Sequence, residues 1–434
     1  MKKTIVWFKT DLRLHDNETL VKAIAQSDEV IPVYCFDENH FKQTQFGFKK
    51  TGSIRAQFLI ESLIDLDKSL RKIGSGLIVA HGKPEVEITA IAKKYGVQKV
   101  FSKKEVAHEE LQTQEVVENE LWKIHCLLET FSTSTLYHAQ DLPFALKDIP
   151  DVFTNFRKRI EKEVEIREMY LKPSVINSPT IAPMKLPDLN QLNLENVQFD
   201  SRAAIKFKGG ETEGLARLNF YLFDSKYILT YKETRNGMIG ENYSTKFSAW
   251  LSLGCLSPRE IHSEIKKFEA QFSSNESTYW LVFELIWRDY FRFMMKKYKL
   301  QFFQKNGIKK IDTSLNEHNS ELFEKWKNGE TGNDFIDANM IELNRTGFMS
   351  NRGRQNVASF LCNDLKLDWQ YGAAYFEQQL IDYDVCSNWG NWAYIAGVGN
   401  DPRENRAFNT LKQANDYDKS GNFRNLWLPI RTIL

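Results

Sequence analysis

The sequence predicts two structural units of different class: an N-terminal α/β unit on a parallel, Rossmann-like sheet, and an all-α C-terminal unit. Three observations carry this expectation. Over roughly the first 130 residues, short apolar runs alternate with stretches of helical period. From Gly209 onward the strand-like runs vanish and aromatic-rich helical periods replace them. The tryptophans follow the same divide: of 10, only Trp7 and Trp122 precede residue 250.

Each element has its own justification. Thr4–Phe8 and Glu29–Phe36 read as buried strands, and Gly76–Ala80 and Lys99–Phe101 as two more. Between them, Phe58, Leu59, Leu63, Ile64, Leu66 and Leu70 recur at helical spacing within Ser53–Ile73, and Ile88, Ile91 and Ala92 do so within Glu85–Tyr95. No GxGxxG follows the first strand, so a plain nicotinamide site is unsupported. Residues 1–130 form the expected α/β unit. Residues 131–205 are rich in proline, show little period and read as a long linker over the surface. Residues 206–434 form the expected helical unit. Within it Trp280, Phe283, Trp287, Phe291, Met294 and Tyr298 mark one face of one helix.

Composition narrows the class. The chain has 434 residues, 42% hydrophobic and 26% charged, an ordinary globular balance. Lys and Arg total 58 against 57 Asp and Glu, a net charge of +1. That balance argues against binding nucleic acid through bulk charge but permits a local basic groove. No apolar run reaches 18 residues, so no membrane span is expected. The N-terminus lacks a signal-peptide pattern. Cys35, Cys126, Cys255, Cys362 and Cys386 are odd in number, far apart and never CxxC, so neither a disulfide framework nor a zinc site is indicated, and a reducing cytoplasmic compartment fits.

Four segments carry candidate chemistry. Tyr231–Asn236 is followed by Tyr243–Arg259, where Ser244, Thr245, Lys246 and Ser248 supply hydroxyls and an ammonium. These either cap a helix or hold a pyrophosphate at its start. Glu284 and Arg288 share a helix face at i, i+4, as an ion pair or as part of a site flanked by Phe283, Trp287 and Phe291. In Asn344–Arg354, Arg352 and Arg354 flank a glycine beside Asn351, which suits a phosphate, a flavin edge or a surface turn. Asp382–Tyr394 packs two Asp, two Asn, two Trp and two Tyr into thirteen residues, which is unusual for a core helix.

Together these segments resemble the cryptochrome/photolyase family, and most closely its DASH-type cryptochromes. The run Val6-Trp-Phe-Lys-Thr-Asp-Leu-Arg-Leu-His-Asp-Asn17 is similar to the family's opening strand and turn, with Lys9 where Arg is usual. Ser53–Leu59, Tyr231–Asn236, Ser244–Arg259, Asn351–Gln355, Asn388–Tyr394 and Gly399–Arg403 match in fixed order along essentially the whole chain.

The resemblance implies an antenna domain, a linker and a helical domain holding FAD in a U-shape. On that pattern Tyr231, Ser244, Thr245, Lys246, Phe247 and Ser248 face the phosphate and ribitol region. Glu284, Arg288, Asn351 and Arg354 belong to the cofactor's surroundings. Arg354 pairs with Asp382, Asp384 faces the ring edge and Asn388 lies opposite flavin N5. The implied reaction is electron transfer from light-excited reduced flavin to a cyclobutane pyrimidine dimer, which splits and returns the electron. The resemblance to DASH members implies a preference for single-stranded DNA, and Tyr394, where duplex-acting members have Trp, agrees with it. Trp287 and Tyr394 would pack on a dimer flipped from the stack, and Glu284, Asn351 and Arg352 would make polar contacts. Arg292, Arg352 and Arg403 are the expected basic rim.

Trp392 and Trp369 match the proximal and middle positions of the family's electron relay. The distal position falls on Asn316, which cannot carry an electron hole, so Trp326 and Trp389 are candidate terminal donors. The alternative role for each Trp is core packing. Glu105 and Glu109 resemble acidic positions that contact a 5,10-methenyltetrahydrofolate antenna, or are simply solvated. A monomer without a long signalling tail is expected, since the chain ends soon after the final motif. A blue-light receptor that binds DNA without repair is the rival reading. Repair of (6-4) lesions is disfavoured, since no His falls in the pocket segments.

Overall fold

The computed structural model describes residues 1–311, 318–403 and 407–429. Five parallel strands, β1 (Lys3–Phe8), β2 (Glu29–Asp37), β3 (Ile78–Gly82), β4 (Lys99–Lys103) and β5 (Leu127–Phe131), form one sheet in the order β3-β2-β1-β4-β5. Helices α1 (Glu18–Gln26), α2 (Ser53–Arg71), α3 (Pro84–Tyr95) and α4 (His108–Trp122) alternate with them. β1 lies in the centre, with Ile5 and Trp7 buried on one face and Val6 and Phe8 on the other. Burial on both faces explains why its sequence is a continuous apolar run rather than an alternating one. β5, α1 and α4 go beyond the sequence expectation. β5 is a short edge strand containing a Glu and a Thr, too polar to stand out by pattern.

The helical unit comprises α6 (Glu211–Asn219), α7 (Tyr231–Thr234), α8 (Ser248–Ser252), α9 (Pro258–Gln271), α10 (Glu276–Tyr298), α11 (Ser320–Asn328), α12 (Asp334–Thr346), α13 (Asn351–Ser359), α14 (Trp369–Gln379), α15 (Val385–Ile395), α16 (Thr410–Tyr417) and α17 (Asn422–Trp427). α10 is its spine, capped by Asn275 in a reciprocal capping box with Thr278. Between the units, the span read as a linker contains a helix, α5 (Phe153–Glu163), which buries Phe153, Phe156 and Ile160. That i, i+3, i+7 spacing is a helical signal that the surrounding prolines obscure.

Asp289 on α10 fixes the start of the linker. Its two oxygens accept the backbone N–H groups of Leu136 (3.0 Å) and Tyr137 (2.8 Å). Asp289→Ala strands both buried donors and is expected to cost about 2 kcal/mol, read from the urea midpoint. Burial pushes the carboxyl up to about 7. A raised acid is bound to its proton more tightly in the fold, so its titration favours the native state in acid, and that contribution fades as pH rises through about 7.

The opening turn Asp11–Asn17 clasps the two units together. The Arg13 guanidinium donates to the carbonyls of His15, Asp16, Thr133 and Gly254 at 2.9–3.0 Å. Glu211 accepts the backbone N–H groups of Leu14 and His15 and lies 2.6 Å from His15 Nδ1. Asp16 receives the Arg259 guanidinium through two nitrogens, at 2.5 and 3.0 Å. The turn that carries the family resemblance thus acts here through domain docking. Among the described residues, no helix is long and apolar enough to cross a membrane. All five cysteines are buried free thiols.

Candidate functional site

A cleft in the helical unit is lined by Asn351, Arg354, Asp382, Asp384, Asn388 and Trp392. α13 supplies the first two, and the turn into α15 supplies the acids. Arg354 donates to Asp382 (2.8 Å) and to the Met349 carbonyl (2.9 Å), so the expected pair is formed. Asp384 caps α15 by accepting the Ser387 N–H at 2.8 Å and lies 3.7 Å from Arg288. Burial by itself would raise the Asp384 carboxyl, but Arg288, Arg292 and the Ser387 N–H outweigh it and hold it below the usual range. Asn388 spends one amide hydrogen on the Ala373 carbonyl (2.9 Å).

Residues 241–248 lie beside the cleft, where Lys246 and the cleft residue Arg354 both lie over the Phe348 ring. Ser244–Lys246 precede α8 rather than capping it: α8 begins at Ser248, and its cap residue, Phe247, makes no side-chain hydrogen bond. Lys246 adopts φ 62°, which turns the chain out of helical geometry. Arg217 binds the carbonyls of Glu241, Ser244 and Thr245 and thereby gathers this segment. It was missed in the sequence because an isolated helical Arg carries no motif. Tyr231 and Phe247 are buried alongside, whereas Ser248 is exposed.

The chemistry of this lining fits FAD. Lys246 Nζ, Tyr243 Oη, Glu342 Oε2 and Asp382 Oδ1 are buried without a hydrogen-bond partner in the protein. Buried polar groups are nearly always satisfied, so such a cluster marks where a polar ligand binds. An ammonium suits a pyrophosphate, and carboxylates suit ribose and ribitol hydroxyls. Lys246 Nζ lies 3.2 Å from the Tyr243 ring centre, and burial drives its pKa well below the ordinary lysine value. Burial pushes Glu342 up to about 8, against the pull of Lys246 and Arg354.

Of the two readings of Glu284 and Arg288, the ion pair between them is not formed. Glu284 binds Arg235 of the Tyr231–Asn236 segment, whereas Arg288 turns the other way, to the Ser134 and Leu251 carbonyls and Asp384. Each charge finds a nearer or better-directed partner off its own helix. Trp287 stacks on Phe153 (3.6 Å, 10°) and meets Tyr394 edge-on at 6.1 Å. Arg403 donates to Tyr394 Oη (3.2 Å), and Arg352 bonds Asn236 and lies 4.4 Å from the Tyr417 ring. Arg292, expected on this rim, is buried elsewhere: it lies 3.6 Å from Glu105, because an acidic partner waits at the sheet edge.

That partner belongs to a second cavity, at the C-terminal edge of the sheet, where α/β folds bind ligands. Lys9, Lys50, Lys103, Glu105, Glu110 and Arg292 line it. Glu105 is buried rather than on a surface loop. Burial would raise its carboxyl, but Lys103, Lys9 and Arg292 prevail and lower it. Glu109 points outward with its side chain 69% exposed, and the adjacent Glu110, pushed up to about 7 by burial, lines the cavity in its stead. The Glu110 position follows from the phase of α4, which a loop reading could not supply.

Of the aromatic relay candidates, Trp392 lines the cleft. Trp392 packs over Gly372, one helical turn from Trp369 on α14. Trp326 meets Trp392 edge-on at 6.1 Å, and Trp389 meets Trp369 at 5.8 Å. Asn316 lies outside the described residues.

Comparison with known proteins agrees with this geometry. Residues 4–176 match the DNA photolyase family model, and residues 280–432 match that of the FAD binding domain of DNA photolyase. A cryptochrome DASH of Gloeobacter violaceus is 48% identical over 429 residues, covering 99% of this chain and 86% of the relative. The crystal structure of a Synechocystis cryptochrome superposes with a TM-score of 0.96 at 47% identity, covering 99% of this chain and 89% of that one. An archaeal photolyase from Sulfolobus tokodaii, described with two FAD molecules and a novel light-harvesting cofactor, gives 0.79 at 28% identity, covering 99% and 91%. Sheet order, cleft, clasp and full-length similarity therefore agree: the chain belongs to the cryptochrome/photolyase family and, within it, to the DASH-type cryptochromes.

Proposed function

We propose that this protein is a light-driven lyase that splits cyclobutane pyrimidine dimers, preferentially in single-stranded DNA. The observation that carries the reading is the edge-on pair Trp287 and Tyr394, with Glu284 one turn before Trp287 on α10. Bound FAD in its reduced state would supply the electron that opens the cyclobutane ring and take it back. The protein's part is to bind, orient and exclude water. Trp287 and Tyr394 offer π-faces to an extruded dimer. Glu284 is raised by burial, although Arg235 pulls it down, so it keeps a proton more readily and can donate to a pyrimidine carbonyl. Arg352 and Arg403 would steady the backbone phosphates. Tyr394 gives a smaller stacking face than Trp, which suits a base already free of a duplex.

Repair of a defined dimer in single-stranded and duplex oligonucleotides tests this. Faster repair of the single strand is expected. Tight binding with no repair of either would replace the reading with that of a photoreceptor. Trp287→Ala is expected to weaken binding of the dimer-bearing single strand about tenfold, the loss of one stacked base, measured by fluorescence anisotropy.

The sheet-edge cavity is the proposed antenna site, with Glu105 and Glu110 as polar contacts for a folate such as 5,10-methenyltetrahydrofolate. Absorbance of the purified protein beyond that of flavin, lost in Glu110→Ala, would support it. Unchanged absorbance in that variant would remove it.

A further inference from the structure

We infer that Trp389 and Glu377 form a proton-coupled terminus of the electron relay, with Glu377 as the base that traps the hole. The inference rests on the reading that bound oxidised flavin is photoreduced through Trp392. Trp392 lines the cleft, and two onward Trp neighbours are available: Trp326 directly, and Trp389 through Trp369. What separates them is the partner of each indole N–H. Trp326 donates to the Val357 carbonyl (3.0 Å) and Trp369 to the Lys305 carbonyl (2.9 Å). Trp389 donates to a Glu377 carboxylate oxygen at 3.2 Å.

That difference decides where a hole can rest. Losing an electron makes an indole N–H strongly acidic. A backbone carbonyl cannot accept that proton, so a hole on Trp326 or Trp369 stays a cation free to recombine. A carboxylate within hydrogen-bond reach is the base such a step needs. The other Glu377 oxygen lies 3.8 Å from Lys50 Nζ, and Glu377 also lines the sheet-edge cavity, which offers the proton an onward path.

The step balances as follows. Trp392 gives one electron to the photoexcited oxidised flavin and is refilled by Trp369, which is refilled by Trp389. The Trp389 N–H bond then breaks, its electron pair stays on nitrogen, and the proton goes to Glu377. The relay would end as a neutral indolyl radical on Trp389 and a carboxylic acid on Glu377, and bound flavin would hold the transferred electron. Glu377 accepts from Trp389 and is not among the residues that line the cleft.

Transient absorption of the flavin-loaded full chain, in H2O and D2O, tests this through the spectra of the Trp radical cation and neutral radical. In the wild type the cation should convert to the neutral form, more slowly in D2O. Glu377→Gln keeps an oxygen acceptor and the side-chain volume, and should slow that conversion about a hundredfold, the scale of losing a general base. Trp389→Phe should abolish the long-lived radical while initial Trp oxidation persists, and Trp326→Phe should leave both. Equal flavin content and near-UV circular dichroism confirm folding of each variant. A wild-type conversion rate in Glu377→Gln, or a wild-type radical lifetime in Trp389→Phe, overturns the proposal. Complete absence of Trp radicals in the wild type, with Trp392→Phe unchanged, overturns it together with the photoreduction reading.

Discussion

Glu211→Ala is expected to destabilise the protein by roughly 3–5 kcal/mol, since it strands several buried donors at about 1–3 kcal/mol each. Glu211 receives three N–H donors: the backbone groups of Leu14 and His15, and His15 Nδ1. The Ser257 N–H donates to His15 Nε2 at 3.3 Å, so Nδ1 carries the hydrogen that faces Glu211. Truncation strands all three donors where water cannot reach them. Glu211→Gln keeps an acceptor oxygen and should lose less. Burial would raise the Glu211 carboxyl, but its His15 contacts win and bring it to about 2. A depressed acid stabilises the fold above its unfolded value near 4.5, and that contribution disappears as pH falls through about 2. Urea denaturation at pH 7 checks the first claim. A loss below about 1 kcal/mol would mean that the clasp rests on Arg13 and the Asp16–Arg259 pair instead. Repeating the titration toward pH 2 checks the second, since the wild type and Glu211→Gln should converge there.

The clasp also shows what a sequence can and cannot disclose. Asp11–Asn17 is legible as a motif, yet nothing local shows that it acts through residues more than 190 positions away. The fold class was legible because burial on both sheet faces leaves a mark in the strands themselves. So was the Arg354–Asp382 pair, because Arg354 lies in a matched motif and Asp382 opens a segment of unusual composition. The departures from the sequence reading share one cause. Glu284 and Arg288 stand at ion-pair spacing, but pairing in a packed helix is decided by the neighbouring elements, and α7 brings Arg235 to Glu284. Arg292 followed the same logic toward Glu105. Glu109 and Glu110 are adjacent, and only the phase of α4 shows which of them turns inward. Arg217 and Glu342 stand alone in sequence and gain meaning only from the segment that folds around them.

Lys246→Met is expected to weaken FAD binding about ten- to a hundredfold while stabilising the apoprotein, and the opposite signs make it diagnostic. Lys246 is a buried ammonium with no hydrogen-bond partner in the protein, resting against the Tyr243 and Phe348 rings. An uncompensated buried charge opposes folding, and burial accordingly lowers its pKa well below the ordinary value. A lowered base binds its proton less readily in the fold than in the unfolded chain, so apoprotein stability should rise with pH toward the ordinary lysine range. Methionine has similar length and removes both the penalty and that pH dependence. A hydrogen bond to a charged group contributes about 1.5–3 kcal/mol, which sets the expected loss for the pyrophosphate. Flavin fluorescence on dilution reads the binding, and urea midpoints of the flavin-free protein read the stability. Should both fall together, Lys246 would be a packing residue. A fall in affinity with a gain in apoprotein stability would assign its ammonium to the cofactor, because only a ligand could then be what the buried charge is for.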